Sequence, residues 1–444
     1  MLAFETLLLG LVFGTHPVGV VATPPVAAVE IRLDGRPVGT LTGAPWRMVV
    51  EFGARPQPHD LEAVGVDAAG KEVARVRRWV NLPYPTAEAT IGLERDGAGR
   101  VVAARLSWDH VRDPRPERVE VTLDGQALQV TDPARVPLPP HDPAAIHVVS
   151  ATVHFARGGS ATAGAAFGGD LGEAIETELT AVPLQLDPGT ELPASLAGWV
   201  EADGRPARVV AVERPAGRTV MVLDMDVLKA MAGRRRSQQS FYFRSAIPDH
   251  YDDSRLRVLA SRLSLYALDA ADDALFLTFA VPEARAVGGE VRRLFPTSPA
   301  YRLEGARMES LLGIVPYPEA RAADQLLGNA VCVSALKAAA ENRPRAVVLL
   351  LGGAGGNTGS VPPGDVRAYL ADLRVPLRVW SVKPEVETAG WGDAVDVGGV
   401  KQLAAATDAL ARDLAAQRIV WIEGAHLPQR VVLTAAARGA RIAR

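Results

Sequence analysis

A repeated strand-and-turn motif constrains the fold of this chain more than any other feature of its sequence. Residues 29–35 read VEIRLDG, and residues 119–125 read VEVTLDG. In both copies apolar and polar residues alternate and then reach Asp-Gly, a pair that tolerates the positive φ angles of a tight hairpin turn. The interval between the copies fits one β-sandwich module. The first part of the chain is therefore predicted to hold two immunoglobulin-like sandwiches.

The remaining sequence predicts a multidomain protein, because 444 residues exceed what one hydrophobic core normally holds. From residue 218 onward, apolar strand-like runs alternate with helical segments. Such alternation predicts a mostly parallel sheet with helices on both faces, which is an α/β doubly wound fold. The predicted units are a signal peptide at 1–22, β-sandwich modules at 23–83 and 84–182, a connecting hairpin or partial β module at 183–217, the α/β domain at 218–425 and a C-terminal strand or tail at 426–444.

The first residues indicate export. Residues 7–13 form a short apolar core, and the small-residue run VVA at 20–22 could precede a cleavage site. The core is too short to span a bilayer as a stable helix, so no transmembrane segment is predicted. No Lys or Arg precedes the core. A second interpretation therefore stays open, in which these residues form a first β-strand and the protein is cytoplasmic.

Charge and cysteine content exclude several classes of partner. A formal net charge of -3 creates no field that would gather nucleic acid. The basic and aromatic run at 234–243 is interpreted as a solvated loop, and the acidic residues at 249–253 as a helix cap. The single cysteine, Cys332, excludes an internal disulfide and a cysteine-based zinc site, and its apolar helical surroundings predict a buried, inert thiol.

The order of elements after residue 218 resembles the von Willebrand factor A fold, a Rossmann-like arrangement. An aspartate ends the first strand, a two-strand excursion follows, and a glycine-rich loop leaves the central strand. The segments at 345–349, 366–370, 375–380 and 417–424 look like the bacterial families called VWFA-related, of the acidobacterial type. In those families comparable sandwich modules accompany the domain. The resemblance implies a protein-binding role without catalysis.

The resemblance also implies a Mg²⁺ site with oxygen ligands from three loops, in the pattern Asp-x-Ser-x-Ser, Thr and Asp. Here the first loop begins with Asp224, Asp226 could supply a further oxygen, and Leu228 cannot ligate a cation. No Ser or Thr lies between residues 311 and 333, and glycine replaces the last aspartate at 351–353. We therefore expect no metal, with Asp224 and Asp226 as residual candidates for Mg²⁺ or Ca²⁺ and otherwise as parts of a polar cap or turn.

The glycine-rich loop at 352–360 leaves a strand at the edge where open α/β sheets bind ligands. Its backbone amides could cradle an anion, although the spacing matches neither a dinucleotide motif nor a P-loop. A flexible surface loop that serves as an interaction loop is the preferred interpretation. The interaction loop comprises Gly352, Gly353, Gly355, Gly356, Asn357, Thr358 and Ser360.

Three hypotheses about function follow. The first is an exported, non-enzymatic binding or scaffold protein whose sandwich array presents an A-type domain with a degenerate metal site to a protein partner. The second is an enzyme or a small-anion or nucleotide binder that uses the loop at 352–360 with Asp224. The third is a residual cation-dependent adhesin that uses Asp224 and Asp226. No catalytic residue and no cofactor are assigned, and the histidines of the sandwiches are interpreted as scattered surface or core residues.

Overall fold

A computed structural model gives the structure of the chain. It describes residues 2–6, 8, 10–83, 87–110, 115–155, 160–169, 179–193, 195–227, 230, 268, 272–287, 290–315, 322–388 and 390–444. Several predicted features lie outside these residues: Leu228, the run at 234–243 and the acidic residues at 249–253. The helix that those acidic residues are predicted to cap, at about 254–268, also lies outside them except for its last residue. None of the described helices is long and apolar enough to cross a membrane.

The first module is a β-sandwich. Its strands are β1 (Leu2–Phe4), β2 (Thr15–Ala22), β3 (Ala28–Leu33), β4 (Arg36–Leu41), β5 (Arg47–Glu51), β6 (His59–Val66) and β7 (Glu72–Val80). One sheet has the order β1-β2-β5 and the other β4-β3-β6-β7. Ile31, Phe52 and Leu61 are fully buried between the sheets, where removal of apolar area from water stabilises the module.

The segment predicted as a signal peptide supplies β1 and β2 to this sandwich. Strand β2 pairs with β5, and it buries Val18 and Val20 in the core. The backbone amide of Val12 donates a 2.7 Å hydrogen bond to Oδ1 of Asn81, and Nδ2 of Asn81 donates to the carbonyl of Val12 at 2.6 Å. This packing corresponds to the second interpretation of the sequence, in which these residues form a first β-strand.

The second module is also a β-sandwich. Its strands are β8 (Ala87–Arg95), β9 (Val101–His110), β10 (Pro116–Leu123), β11 (Gln126–Leu128), β12 (Val136–Pro137), β13 (His147–Phe155) and β14 (Ser160–Phe167). The sheet β12-β9-β8 faces the sheet β11-β10-β13-β14, with Val121, Val149 and Phe167 in the core. Two β-sandwiches thus occupy the first part of the chain.

Four strands come next along the chain and belong to a module described below: β15 (Leu179–Leu186), β16 (Val200–Ala202), β17 (Arg205–Pro206) and β18 (Val209–Glu213). A mixed six-stranded sheet follows them. The next strands are β19 (Arg218–Leu223), β20 (Ala274–Phe279), β21 (Glu283–Val287), β22 (Glu290–Leu294), β23 (Tyr301–Arg302), β24 (Arg345–Leu351), β25 (Leu377–Ser381) and β26 (Val395–Asp396). The sheet has the order β23-β20-β19-β24-β25-β26. Only its edge strand β23 is antiparallel, and β21 and β22 form a separate hairpin.

Helices cover both faces of the six-stranded sheet. They are α1 (Met308–Ile314), α2 (Leu327–Ala339), α3 (Pro363–Asp372) and α4 (Val400–Ala415), with short 3-10 turns at Gly305–Arg307, Ala322–Asp324 and Pro428–Arg430. Because successive residues of a strand point to opposite faces, Met221 and Leu223 pack with α1 and α4, whereas Val220 and Val222 pack with α2 and α3.

A third β-sandwich is formed by two separate parts of the chain. The last strands are β27 (Gln417–Glu423), β28 (Val431–Leu433) and β29 (Ala440–Ile442). They combine with the earlier strands in the sheets β18-β27-β15-β29 and β17-β16-β28, with Leu184, Trp199 and Ile422 in the core. The six-stranded sheet is therefore inserted between β18 and β27, two antiparallel neighbours of this module.

The prediction of an α/β doubly wound second half is wrong. Strands make up 42% and helices 16% of the structure, so the chain is predominantly β. The six-stranded sheet is one of eight sheets in the part of the chain that the structure describes. Strand β27, which was expected to complete the parallel series, instead pairs antiparallel with β15 and β18. Its continuous apolar run fits a buried strand in either type of sheet, so the pattern alone did not decide the pairing.

Candidate functional site

Asp224 connects two loops at the carboxyl edge of the six-stranded sheet. It follows the last residue of β19 and is 1% exposed. Its Oδ1 accepts a 3.1 Å hydrogen bond from the amide of Asp226, and its Oδ2 accepts one of 3.0 Å from the amide of Gly352. The first bond forms an Asx turn, a common use of an aspartate directly after a strand. Both carboxylate oxygens therefore bind backbone amides.

The surroundings of Asp224 are built from neighbouring backbone. The amide of Val227 donates to the carbonyl of Asp224 at 3.0 Å, and the amide of Met225 donates to Oε1 of the buried Gln325 at 3.2 Å. Among the described residues, no group of three His, Cys, Asp or Glu side chains could hold a metal ion. Asp226 lies beside Gly353, because a Cβ placed there would be 3.9 Å from Oδ2 of Asp226.

The first glycines of the loop at 352–360 allow close packing. A Cβ on Gly352 would lie 2.1 Å from the carbonyl carbon of Asp226 and 2.2 Å from the amide nitrogen of Val227. Gly355 has a φ of +66°, and its carbonyl accepts a 3.0 Å hydrogen bond from Nε1 of the buried Trp391. Any side chain at Gly352 would force the two loops apart, so this glycine is required by the fold.

The rest of the loop caps helix α2. The amides of Leu327 and Gly328 donate to the carbonyls of Asn357 and Thr358 at 3.0 and 2.9 Å. Ser360 exchanges two hydrogen bonds with the Asn329 side chain, at 2.9 and 3.0 Å. The first amides of a helix are the groups that bind an anion at such an edge. Here the first two already donate to the loop, while Gly356 and Asn357 remain exposed.

The predicted site residues thus form two groups. Asp224 contacts Gly352 directly, and Asp226 adjoins Gly353, so these residues are brought together between the loops after β19 and β24. Asn357, Thr358 and Ser360 lie instead against the start of α2. Cys332 is buried in the same helix, and burial raises the pKa of its thiol.

A second recurring arrangement was missed in the sequence. In each of the three sandwiches an Asp-Gly turn holds a histidine, with the aspartate at a φ between 51° and 53°. Nδ1 of the histidine lies 2.7 to 2.8 Å from Oδ2 of the aspartate. We call these contacts the three His–Asp clasps. The pairs are His59 with Asp34, His147 with Asp124, and His426 with Asp203.

In each clasp the second ring nitrogen also faces an oxygen. Nε2 of His147 lies 2.8 Å from the carbonyl of Asp142, and His59 and His426 make the corresponding contacts with Phe52 and Glu423. A neutral imidazole can donate only one hydrogen bond. Burial by itself would lower the pKa of His147, but the hydrogen bonds to Asp124 and to the Asp142 carbonyl raise it above its usual value.

The sequence does carry a signal for the third clasp. Residues 203–206 read DGRP, as do residues 34–37. The sequence does not indicate which histidine contacts this turn, because His426 lies 223 residues from Asp203. Arg430 then links two of the turns, since it donates to Oδ1 of Asp203 at 3.1 Å and to the carbonyl of Asp34 at 3.3 Å.

The first module is fastened to the six-stranded sheet. The hydroxyl of Tyr369, which lies in α3 and is 0% exposed, donates a 2.8 Å hydrogen bond to the carbonyl of Asn81. Arg55 pairs with Asp372 at 2.9 Å. Leu11, Phe13 and Leu82 pack against the apolar residues beneath α2 and α3.

The second module is bound from another side. Oγ of Ser150 donates a 2.7 Å hydrogen bond to Oε1 of Glu213, and Oε2 of Glu213 accepts one of 3.0 Å from Nε1 of Trp421. Glu213 ends β18 and Trp421 lies in β27, so this contact joins the second sandwich to the third. All three modules are therefore connected by direct hydrogen bonds to a neighbouring unit.

Comparisons with known proteins identify no family. No family model and no curated protein matches the chain. The solved structures that are similar to parts of it include the following three. The fibronectin(III)-like modules of Clostridium thermocellum CbhA are 14% identical, over 18% of this chain and 93% of that chain, with a TM-score of 0.16. The central fibronectin-III array of RIM-binding protein is 15% identical, over 46% of this chain and 78% of that chain, with a TM-score of 0.21.

The third is SGBP-B of the Bacteroides ovatus mixed-linkage glucan utilization locus, solved with a mixed-linkage heptasaccharide. It is 10% identical, over 46% of this chain and 86% of that chain, with a TM-score of 0.14. These TM-scores are too low for the likenesses to support an argument about function. The resemblance to the VWFA-related families stays a prediction.

Proposed function

We propose that this chain is an exported, non-enzymatic binding or scaffold protein that holds three β-sandwich modules in a fixed arrangement and presents them to a protein partner. The observation that carries the proposal is the buried hydrogen bond from the Tyr369 hydroxyl to the carbonyl of Asn81. Modules joined only by linkers normally move independently, whereas an apolar, hydrogen-bonded junction restrains them. Leu11, Phe13 and Leu82 supply the apolar part of this junction.

The carboxyl edge of the six-stranded sheet supports the same role. Asp224 uses both carboxylate oxygens to hold the loop of Gly352, and the amides of Leu327 and Gly328 donate to the loop carbonyls. These groups would have to break internal hydrogen bonds to bind a cation or an anion. No contact in the described residues favours the nucleotide binder or the cation-dependent adhesin over the scaffold.

Site-specific photo-crosslinking in the producing cell tests the proposal. The crosslinking amino acid is placed at Val49 of the first module, 64% exposed, at Val212 of the third, 37% exposed, and at Asn357 on the carboxyl edge. We expect a discrete protein adduct from Val49 or Val212, in the envelope fraction. Tyr369→Phe, which removes only the hydroxyl, should weaken that adduct without unfolding the chain.

Two outcomes would overturn the proposal. The first is an adduct obtained only from Asn357, or an intact chain confined to the cytosol. The second is a rise in melting temperature with a nucleotide, a sugar phosphate or a divalent cation that Asp224→Asn abolishes, since a ligand that binds only the folded state stabilises it.

A further inference from the structure

Two positively charged side chains share one aromatic ring at the amino edge of the six-stranded sheet. The guanidinium carbon of Arg218 lies 5.0 Å from the ring centre of Phe276, and Nζ of Lys337 lies 4.2 Å from it. Nη1 of Arg218 also donates a 3.2 Å hydrogen bond to the carbonyl of Lys337. The ring stabilises both cations through cation–π attraction, but their mutual repulsion opposes it.

The nearby carboxylates are already paired with arginines. Glu341 pairs with Arg218 and, at 3.2 Å, with Arg343. Arg343 also forms an ion pair with Glu120 of the second module, at 3.8 Å. Glu120 in turn pairs with Arg118 at 2.5 Å. Within the described part of the chain, no carboxylate pairs with Lys337. Nε of Arg218 is buried there without a hydrogen-bond partner. Two cations therefore lie on the Phe276 ring, and the carboxylate of Glu341 pairs with one of them, Arg218.

This arrangement changes the acid–base behaviour of the lysine. Burial first, and then the charge of Arg218, lower the pKa of Lys337 to about 8, while Glu341 acts in the opposite direction. At pH 7 about a tenth of such an amine is neutral, against roughly one part in three thousand for an ordinary lysine. Only the neutral amine is a nucleophile, and desolvation beside another cation is a recognised way to activate a lysine.

We propose that Lys337 is a site of covalent acylation, which reacts with activated acyl groups such as acyl phosphates or acyl thioesters. The neutral Nζ attacks the acyl carbon and a C–N bond forms. The bond from carbon to phosphate oxygen or thioester sulfur breaks, and phosphate or thiolate leaves with the bonding pair. The amine proton passes to water. The product is a neutral amide, so acylation removes one of the two positive charges on the Phe276 ring.

The small number of lysines makes the proposal easy to test. The chain has five, at positions 71, 229, 337, 383 and 401, and Lys71 and Lys401 are exposed. The full chain is treated with acetyl phosphate at several pH values, and the initial rate of acetylation at each lysine is measured by mass spectrometry. Because lower basicity offsets part of the gain in neutral amine, we expect Lys337 to react about tenfold faster than Lys401 at pH 7.5.

The pH profile separates this mechanism from simple exposure. The rate at Lys337 should level off above about pH 8, whereas the rate at Lys401 should keep rising. Denaturant should abolish the preference. Arg218→Gln, where it folds, should move the inflection of Lys337 upward. A rate at Lys337 equal to or below that at Lys401, a profile without an inflection, or a preference that survives denaturation would each overturn the proposal.

Discussion

The two edges of the six-stranded sheet differ in the partners that they provide for charged side chains. At the carboxyl edge one buried carboxylate, Asp224, accepts hydrogen bonds from two backbone amides and closes the contact between two loops. At the amino edge Arg218 and Lys337 lie on one ring, and among the described residues Glu341 pairs with Arg218 while no carboxylate pairs with Lys337. The carboxyl edge, where the sequence suggested a site, therefore uses its charged residue to hold two loops together. The amino edge, which carried no motif, contains the side chain with an altered pKa, Lys337.

This difference follows from the groups available at each edge. Backbone amides after β19 and β24 are fixed partners of Asp224, so the carboxylate is satisfied without a counterion. Lys337 has donors only and needs an acceptor that the described neighbours do not supply. Three substitutions test the comparison, and a fourth, in the second module, gives a pH dependence of the opposite sign.

Gly352→Ala should have the largest effect. The added Cβ would lie 2.1 Å from the carbonyl carbon of Asp226, so backbone must move. We expect a loss of ~4 kcal/mol in the free energy of unfolding, at the upper end of single substitutions. Urea denaturation measures it, and Gly356→Ala is the matched control because its Cβ would meet nothing within 4 Å. Equal stabilities of the two variants would show that the loops are not in contact.

Asp224→Ala comes next. It leaves the buried amide of Gly352 and the half-buried amide of Asp226 without their acceptor, which should cost ~3 kcal/mol. Asp132→Ala is the control, because Asp132 accepts from the amide of Ala134 in an exposed turn where water can replace it. Thermal unfolding with and without Mg²⁺ or Ca²⁺ adds a second criterion. A cation that stabilised the parent chain and not Asp224→Ala would return the carboxyl edge to a metal-site interpretation.

Lys337→Met should change how stability depends on pH. The folded chain releases the Lys337 proton near pH 8, whereas the unfolded chain keeps it to about 10.5. Between these values the unfolded state binds more protons, so stability rises with pH. Relative to Lys337→Met, the parent chain should gain ~2 kcal/mol from pH 8 to pH 10.5. Parallel stability curves for the two proteins would contradict the altered pKa.

The His147 clasp should make stability fall as the pH rises, which is opposite to the effect of Lys337, and its effect should be the smallest of the four. Its pKa is raised in the folded chain, so its contribution to stability is present below pH 6.5 and is lost as the pH rises through the raised value. Because Asp124 is 46% exposed, the contribution should stay below about 1 kcal/mol. NMR titration of His147 in the parent chain and in Asp124→Asn measures it. A pKa that Asp124→Asn leaves unchanged would rule out the clasp as its cause.

Much of the β architecture could be predicted from local pattern. The alternation in VEIRLDG and VEVTLDG, with positive φ angles at Asp34 and Asp124, is sufficient to specify two hairpins of this type. The strand ending before Asp224 and the glycine-rich loop were also located correctly in sequence. The role of these residues could not be predicted, because Gly352 is required by its contact with a loop more than a hundred residues away.

The sequence by itself determined the two hairpins that turn at Asp34 and Asp124 and the burial of Cys332, because alternation and turn chemistry act over a few residues. Tertiary structure alone decided that β27 joins β15 and β18, that His426 reaches Asp203 across 223 residues, and that Arg218 meets Lys337 across 119. An apolar run is stable in any sheet that buries it, and a charged group has no defined pKa until its neighbours are known. Pairing and electrostatic surroundings are properties of the assembled fold.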